Sequence, residues 1–220
     1  LMYKGVLLVE KIVVDSANVA IFKDKTKPID PKRYPEYLGQ NISSVKMPLN
    51  IKTVTAHNVT IVNRERKTDG EVAMVTVNRL NGEIKNITNI STDKRMEMSA
   101  EAYLENKAHF KATLKFDYVD PTFSIDATIY KFELKDLNRL LLSYTPAKLN
   151  AGIIDEVTLS GHAYRTKATG TMKFLYHDLE VDLELQDKAK WKSSVLAFAA
   201  NTALHSSNPG SKDLPPREVQ

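Results

Sequence analysis

The sequence predicts a mainly β protein: a curved antiparallel sheet, of groove or sandwich-like form, with one or two short helices. Three observations predict it. Phe110, Ala112, Leu114, Phe116 and Tyr118 alternate with His109, Lys111, Thr113, Lys115 and Asp117. Beyond Asp120-Pro121-Thr122, Phe123, Ile125, Ala127 and Ile129 alternate with Ser124, Asp126, Thr128 and Tyr130. Period-two alternation marks a strand with one apolar and one wet face. The third observation is recurring turn chemistry, Asp69-Gly70 and Asn81-Gly82 above all, at spacings short enough for hairpins.

The elements follow in order. Val6 to Val14 and Val19 to Lys23 read as two strands, with Asp15-Ser16-Ala17-Asn18 as the turn between them. Residues 24–48, with Pro28, Pro31, Pro35 and Pro48, form a polar excursion in which Tyr34, Tyr37 and Leu38 suggest a helical turn packed at the sheet edge. Leu49 to Val62 is apolar again, with a tight turn expected at His57-Asn58. Asp69-Gly70 joins Thr60–Arg66 to Glu71–Leu80, and Asn81-Gly82 leads into Glu83–Ile90. Met96 to Leu104 alternates, and Glu105-Asn106-Lys107 turns the chain into Phe110.

After Leu134 the period changes. Asp136 reads as an N-cap for a helix carrying Leu137, Leu140, Leu141 and Tyr144, stopped by Pro146. Strands return at Ile153–Tyr164, Gly170–Tyr176 and Leu179–Leu185. The apolar phase slips by one residue near His177-Asp178, the mark of a bulge or short turn. Ala189 to Leu204 reads as a helix, and 206–220 as a mobile polar tail. The domain layout expected is therefore one β-rich unit over 1–188, a helix at 189–205 and a tail.

The chain has 220 residues, 42% of them hydrophobic and 26% charged, which suits a folded β domain. The net charge of +4 is spread among interleaved acids and bases, and the aromatics avoid basic clusters, which argues against a nucleic-acid partner. With no cysteine, disulfides and thiolate metal sites are excluded. No apolar run approaches the roughly 18–20 residues of a membrane helix.

Nothing here reads as a catalytic signature. The histidines, His57, His109, His162, His177 and His205, lack metal-ligand spacing. The acids, such as Glu180, Asp182 and Glu184, occupy wet strand positions, and there is no G-x-S-x-G elbow or phosphate-cradling glycine loop. No enzyme, cofactor or metal is expected. The apolar strand faces remain. They either bury one another in a closed core or form a concave apolar face open to acyl chains, and alternation alone does not separate the two. A carbohydrate-binding sandwich with Trp191 as a platform is a third, weaker possibility.

Three stretches carry a family resemblance: Ile51–Asn89, Phe123–Tyr144 and Ile153–Leu185. Arg64-Glu65, Asn86-Ile87-Thr88-Asn89, Asp136-Leu137 and the run from Gly170 to Leu183 resemble elements of the AsmA-like family of bacterial envelope proteins, in its Bacteroidetes form. The element following Asp136-Leu137 departs from the family pattern, with Ser143-Tyr144-Thr145-Pro146 in its place. The resemblance implies a C-terminal piece of a longer periplasmic protein, anchored in the inner membrane by an upstream helix. Its partners would be phospholipid or acyl chains and other envelope proteins, in lipid homeostasis or intermembrane phospholipid transport. On this basis Phe110, Leu114, Phe116, Ile125, Ile129, Met172, Phe174, Val181 and Leu183 are expected to form an inner, lipid-contacting face, with the 189–204 helix capping one end.

Overall fold

The computed structural model describes residues 2–3, 5–28, 36–91, 94–144, 147–183, 206–211 and 214–216. The expected 189–204 helix lies outside the described residues. Ten strands form one open sheet. In chain order they are β1 (Met2–Tyr3), β2 (Val6–Asp15), β3 (Asn18–Asp24), β4 (Leu49–Arg66), β5 (Val72–Thr88), β6 (Met96–Leu104), β7 (Ala108–Phe116), β8 (Phe123–Glu133), β9 (Ala147–Ala163) and β10 (Ala168–Leu183). Among the described residues there are also two short helices, α1 (Leu38–Ser43) and α2 (Asn138–Leu142), the second entered through a 3-10 turn at Leu134–Leu137. The Asp136 cap is not used: Leu137 stands at the N-cap of α2 and makes no side-chain capping bond.

From β4 to β10 each strand pairs antiparallel with the next. The sheet is nonetheless mixed, because β2 and β3 both run parallel to β4. Leu7 lies beside Leu49 and Asp24 beside Arg66, one constant register, so β2 and β3 are successive parts of one line along the edge of β4. The hairpin expected at 15–18 is thus corrected: Ser16 takes φ 53° and the chain runs straight on. Its N–H donates to the His57 carbonyl, and Ala17 accepts from Thr60 N–H.

The turns expected at His57-Asn58 and Asn81-Gly82 are corrected in the same way. Both lie inside long strands, β4 of 18 residues and β5 of 17. Asn58 (φ 49°), beside Ser16, and Arg79 (φ 52°) in β5 carry the left-handed backbone, and the β4–β5 register shifts there. The Asn81 side chain accepts from Asn58 N–H at 3.1 Å and donates to the Arg79 carbonyl at 3.0 Å. Residues that tolerate left-handed geometry serve a bulge as well as a turn. Here they crease three adjacent strands without reversing any. In contrast, Asp69-Gly70 and Glu105-Asn106 do reverse the chain, and the bulge expected near His177-Asp178 is present within a single strand β10, at Asp178 with φ 55°.

Parallel pairing requires a crossover, and residues 25–48 supply it. Its return is latched to the end of β5 by Asn86-Ile87-Thr88-Asn89. Asn89 Oδ1 accepts from Leu49 N–H at 2.8 Å, and its Nδ2 donates to the carbonyls of Val45 (2.6 Å) and Met47 (3.0 Å). Thr88 Oγ1 donates to the Leu49 carbonyl at 3.1 Å. Tyr118, buried, donates its hydroxyl to the Asn86 carbonyl and accepts from Thr88 N–H at 3.1 Å.

Candidate functional site

The register brings most of the expected apolar residues onto one face. Phe110 lies opposite Ile129, Ile129 opposite Val157, and Val157 opposite Phe174, so four strands contribute one apolar row. Leu114 lies opposite Ile125, and Phe116 opposite Phe123. Met172 faces Leu159, which faces Ala127 and then Ala112. Val181 and Leu183 pair with Leu149 and Ala147 through their backbones, but their side chains lie outside the described residues.

This face is packed at its two ends. At one end Met96, Phe116 and Tyr118 form a buried cluster against which Leu114, Phe123, Tyr37 and Ile42 pack. Tyr37 meets Phe123 edge-on at 4.9 Å, which seats α1 there and draws two of the expected residues, Leu114 and Phe116, into core packing. At the other end Leu134, Leu149, Ile154, Val157, Tyr176 and Leu179 form a second cluster, joined by Ile129, Phe174 and Leu141 of α2. Between the clusters runs the row Gly82, Ala100, Ala112, Ala127, Leu159, Met172 across β5 to β10. Its outer members are open to solvent, Leu159 at 36% and Met172 at 41%. The small members matter by their absence of bulk: Gly82 lies so close to Ser99 that a Cβ would stand 2.5 Å from its carbonyl oxygen.

The large hollow lies on the other face. It encloses about 1270 Å³ and is lined by the wet positions of six strands, among them Ser99, Thr113, Asp126, Ser160 and Thr171, and between them by the row from Gly82 to Met172. Of the nine residues expected to line an inner face, Met172 alone borders it. A coiled, twisted sheet is saddle-shaped, so each face is concave along one diagonal. Alternation separates an apolar from a polar face but says nothing of which one encloses the larger space.

The hollow carries charge pairing rather than a reactive group. Glu101 accepts from His109 Nε2 at 2.7 Å and pairs with Lys111 at 3.3 Å; the His109 hydrogen bond chiefly holds its carboxyl below the usual range. Asp126 accepts from Ser160 Oγ at 2.7 Å. Tyr103, His109 and Tyr130 stack in sequence at 4.9 and 4.7 Å, with the Arg79 guanidinium 3.7 Å over Tyr103. Those ring faces are occupied by one another, which is not the coplanar row of open rings that a sugar platform requires. Trp191 lies outside the described residues. Among the described residues no group of three His, Asp or Glu side chains could hold a metal ion.

No family model, curated protein or solved structure matches the chain. The AsmA-like resemblance therefore stands on the motifs quoted above. The structure gives one of them, Asn86-Ile87-Thr88-Asn89, a local purpose as the crossover latch.

Proposed function

We propose that the apolar face of β5–β10 contacts the acyl chains of lipid, and that the chain is a non-enzymatic part of a periplasmic cell-envelope protein serving lipid homeostasis or phospholipid movement between membranes. One observation carries the proposal: the apolar row ending in the exposed Leu159 and Met172, floored by alanines and flanked on both sides by packed clusters. At about 4.8 Å per strand, five steps from Gly82 to Met172 span roughly 24 Å. One acyl chain fills half of a hydrocarbon layer about 30 Å thick, so it fits this length. Burying each methylene contributes about 0.8 kcal/mol, enough for ten methylenes to hold a chain without a polar anchor. The envelope setting rests on the motif resemblance. A second reading, a structural or protein-interaction module, is favoured by the same two clusters, which fill part of the face with the protein's own side chains.

The test is native mass spectrometry of the chain mixed with detergent micelles that carry phosphatidylethanolamine and phosphatidylglycerol. Wild-type protein is expected to retain phospholipid, and Leu159→Asp and Met172→Asp to lose it while keeping the wild-type circular dichroism, since both positions are already exposed. Absence of adducts on wild type, or adducts indifferent to both substitutions, overturns the proposal in favour of the structural module.

A further inference from the structure

The two outer edges of the sheet are treated differently by the chain. On β10 the C-terminal stretch comes back over the edge. Asn208, only 3% exposed, exchanges backbone hydrogen bonds with Tyr176 at 2.8 and 3.1 Å, and its Nδ2 donates to the Phe174 carbonyl at 2.8 Å. Leu179 N–H donates to Ser206 at 2.9 Å, and Pro216 lies at the border of the polar hollow. A loop laid over an edge, with prolines that cannot extend a ladder, is a recognised way to block strand addition.

Among the described residues the opposite edge carries no such loop, and β1 pairs with β2 there only at Val6 and Leu7. Among the described residues β3 pairs with β4 alone. Ala17 accepts from Thr60 and Lys25 donates to Arg66, so the odd-numbered residues between them turn their backbone groups toward β4. The even-numbered residues, Asn18, Ala20, Phe22 and Asp24, turn theirs outward. Val19 (42%), Ile21 (49%) and Phe22 (57%) place large apolar groups in solvent on both faces of this strand. An exposed, apolar edge of this kind is a template for another strand.

We propose that β3 is a self-association edge that pairs antiparallel with β3 of a second copy of this chain. Antiparallel pairing of β3 with its own copy is isologous, so the assembly closes as a two-fold dimer and does not grow into a filament. Charge is compatible with pairing centred on Ile21. With the two-fold axis at Ile21, Ile21 faces Ile21, Ala20 faces Phe22, Val19 faces Lys23 and Asn18 faces Asp24. No like charges oppose one another, and the outward-turned Ala20 and Phe22 form a hydrogen-bonded pair in phase. The axis cannot sit at Glu10 or Lys11 of β2 without setting each against its own copy. A pair of seven-residue strands is a small interface, so the dimer forms and dissociates with concentration.

Sedimentation velocity of the full chain, from micromolar to several hundred micromolar, tests this. The expected result is a concentration-dependent monomer–dimer equilibrium. Ala20→Pro removes an outward N–H that β4 does not use, and Ile21→Lys sets two like charges at the axis. Both are expected to shift the midpoint at least tenfold upward in concentration, with the circular dichroism of the wild type. A wild-type chain that stays monomeric throughout, or a dimer equally stable in both variants, overturns the proposal. In the first case the edge is left to a strand of a different polypeptide. None of these outcomes bears on lipid retention, which depends on the distant Leu159–Met172 row.

Discussion

At the residue scale, Tyr118 shows how one polar group can sit inside an apolar cluster. Its ring packs with Met96 and Phe116, while its hydroxyl satisfies both Asn86 and Thr88 of the crossover latch. Burial pushes its phenol above the ordinary value, so it stays protonated and able to donate. Tyr118→Phe keeps the ring and strands a backbone carbonyl and an N–H, so a loss of about 1–3 kcal/mol is expected. A urea midpoint unchanged from wild type would show that water replaces the hydroxyl. In the sequence Tyr118 is readable only as the last apolar member of an alternating run. Its partners, some thirty residues earlier, leave no local trace.

At the element scale, α1 depends on a close approach. Gly39 is buried, and a Cβ there would stand 2.1 Å from the Asp117 carbonyl oxygen, a backbone atom that cannot swing aside. Gln40 Nε2 donates to that carbonyl at 3.0 Å and to that of Asp120 at 2.7 Å, and Ser43 Oγ donates to Tyr118 at 3.2 Å. In an isolated helix Gly→Ala would stabilise by about 1 kcal/mol. Here the clash outweighs that gain, and Gly39→Ala is expected to destabilise by about 1–3 kcal/mol, read in thermal unfolding. A stabilised variant would mean that α1 is not held against the 117–120 loop. The helical turn at Tyr37-Leu38 was legible from its apolar residues amid prolines. That it caps the apolar face, instead of the sheet edge, depends on where the parallel crossover carries it.

At the scale of the whole molecule, the ionic pairs are spread over the surface and act together through pH. Asp24 is held low chiefly by the Thr26 hydroxyl, Glu101 by His109, Asp117 by the Asp120 N–H and Glu133 by Lys135. A carboxyl lowered on folding stabilises above its unfolded pKa and loses that contribution as pH falls through the folded value. Lys85 and Lys135 are raised, chiefly by hydrogen bonds to Glu83 and Glu133. Their contribution is complete below the unfolded lysine value and is lost as pH rises through the folded one. Stability is therefore expected to be level through neutrality, to fall below about pH 4–5 and to fall again above about pH 10. Chemical denaturation across pH checks this; a maximum on the acid side of pH 4 would contradict it.

By itself the sequence determined what is local: which residues alternate, that the fold is mainly β, the reversals at Asp69-Gly70 and Glu105-Asn106, and which residues of β7 and of β8 fall on one face of their own strand. Backbone sterics and the two-residue pleat suffice for these, since each is set within a few neighbours. Only the tertiary structure decided that β2 and β3 lie parallel to β4, that Ser16, Asn58 and Arg79 crease the sheet without ending a strand, and that the large hollow falls on the polar face. Turn-forming residues permit a left-handed backbone without dictating reversal, and parallel pairing joins segments far apart in the chain. The curvature of a ten-stranded sheet arises from twist summed over all its strands, a quantity no single segment carries.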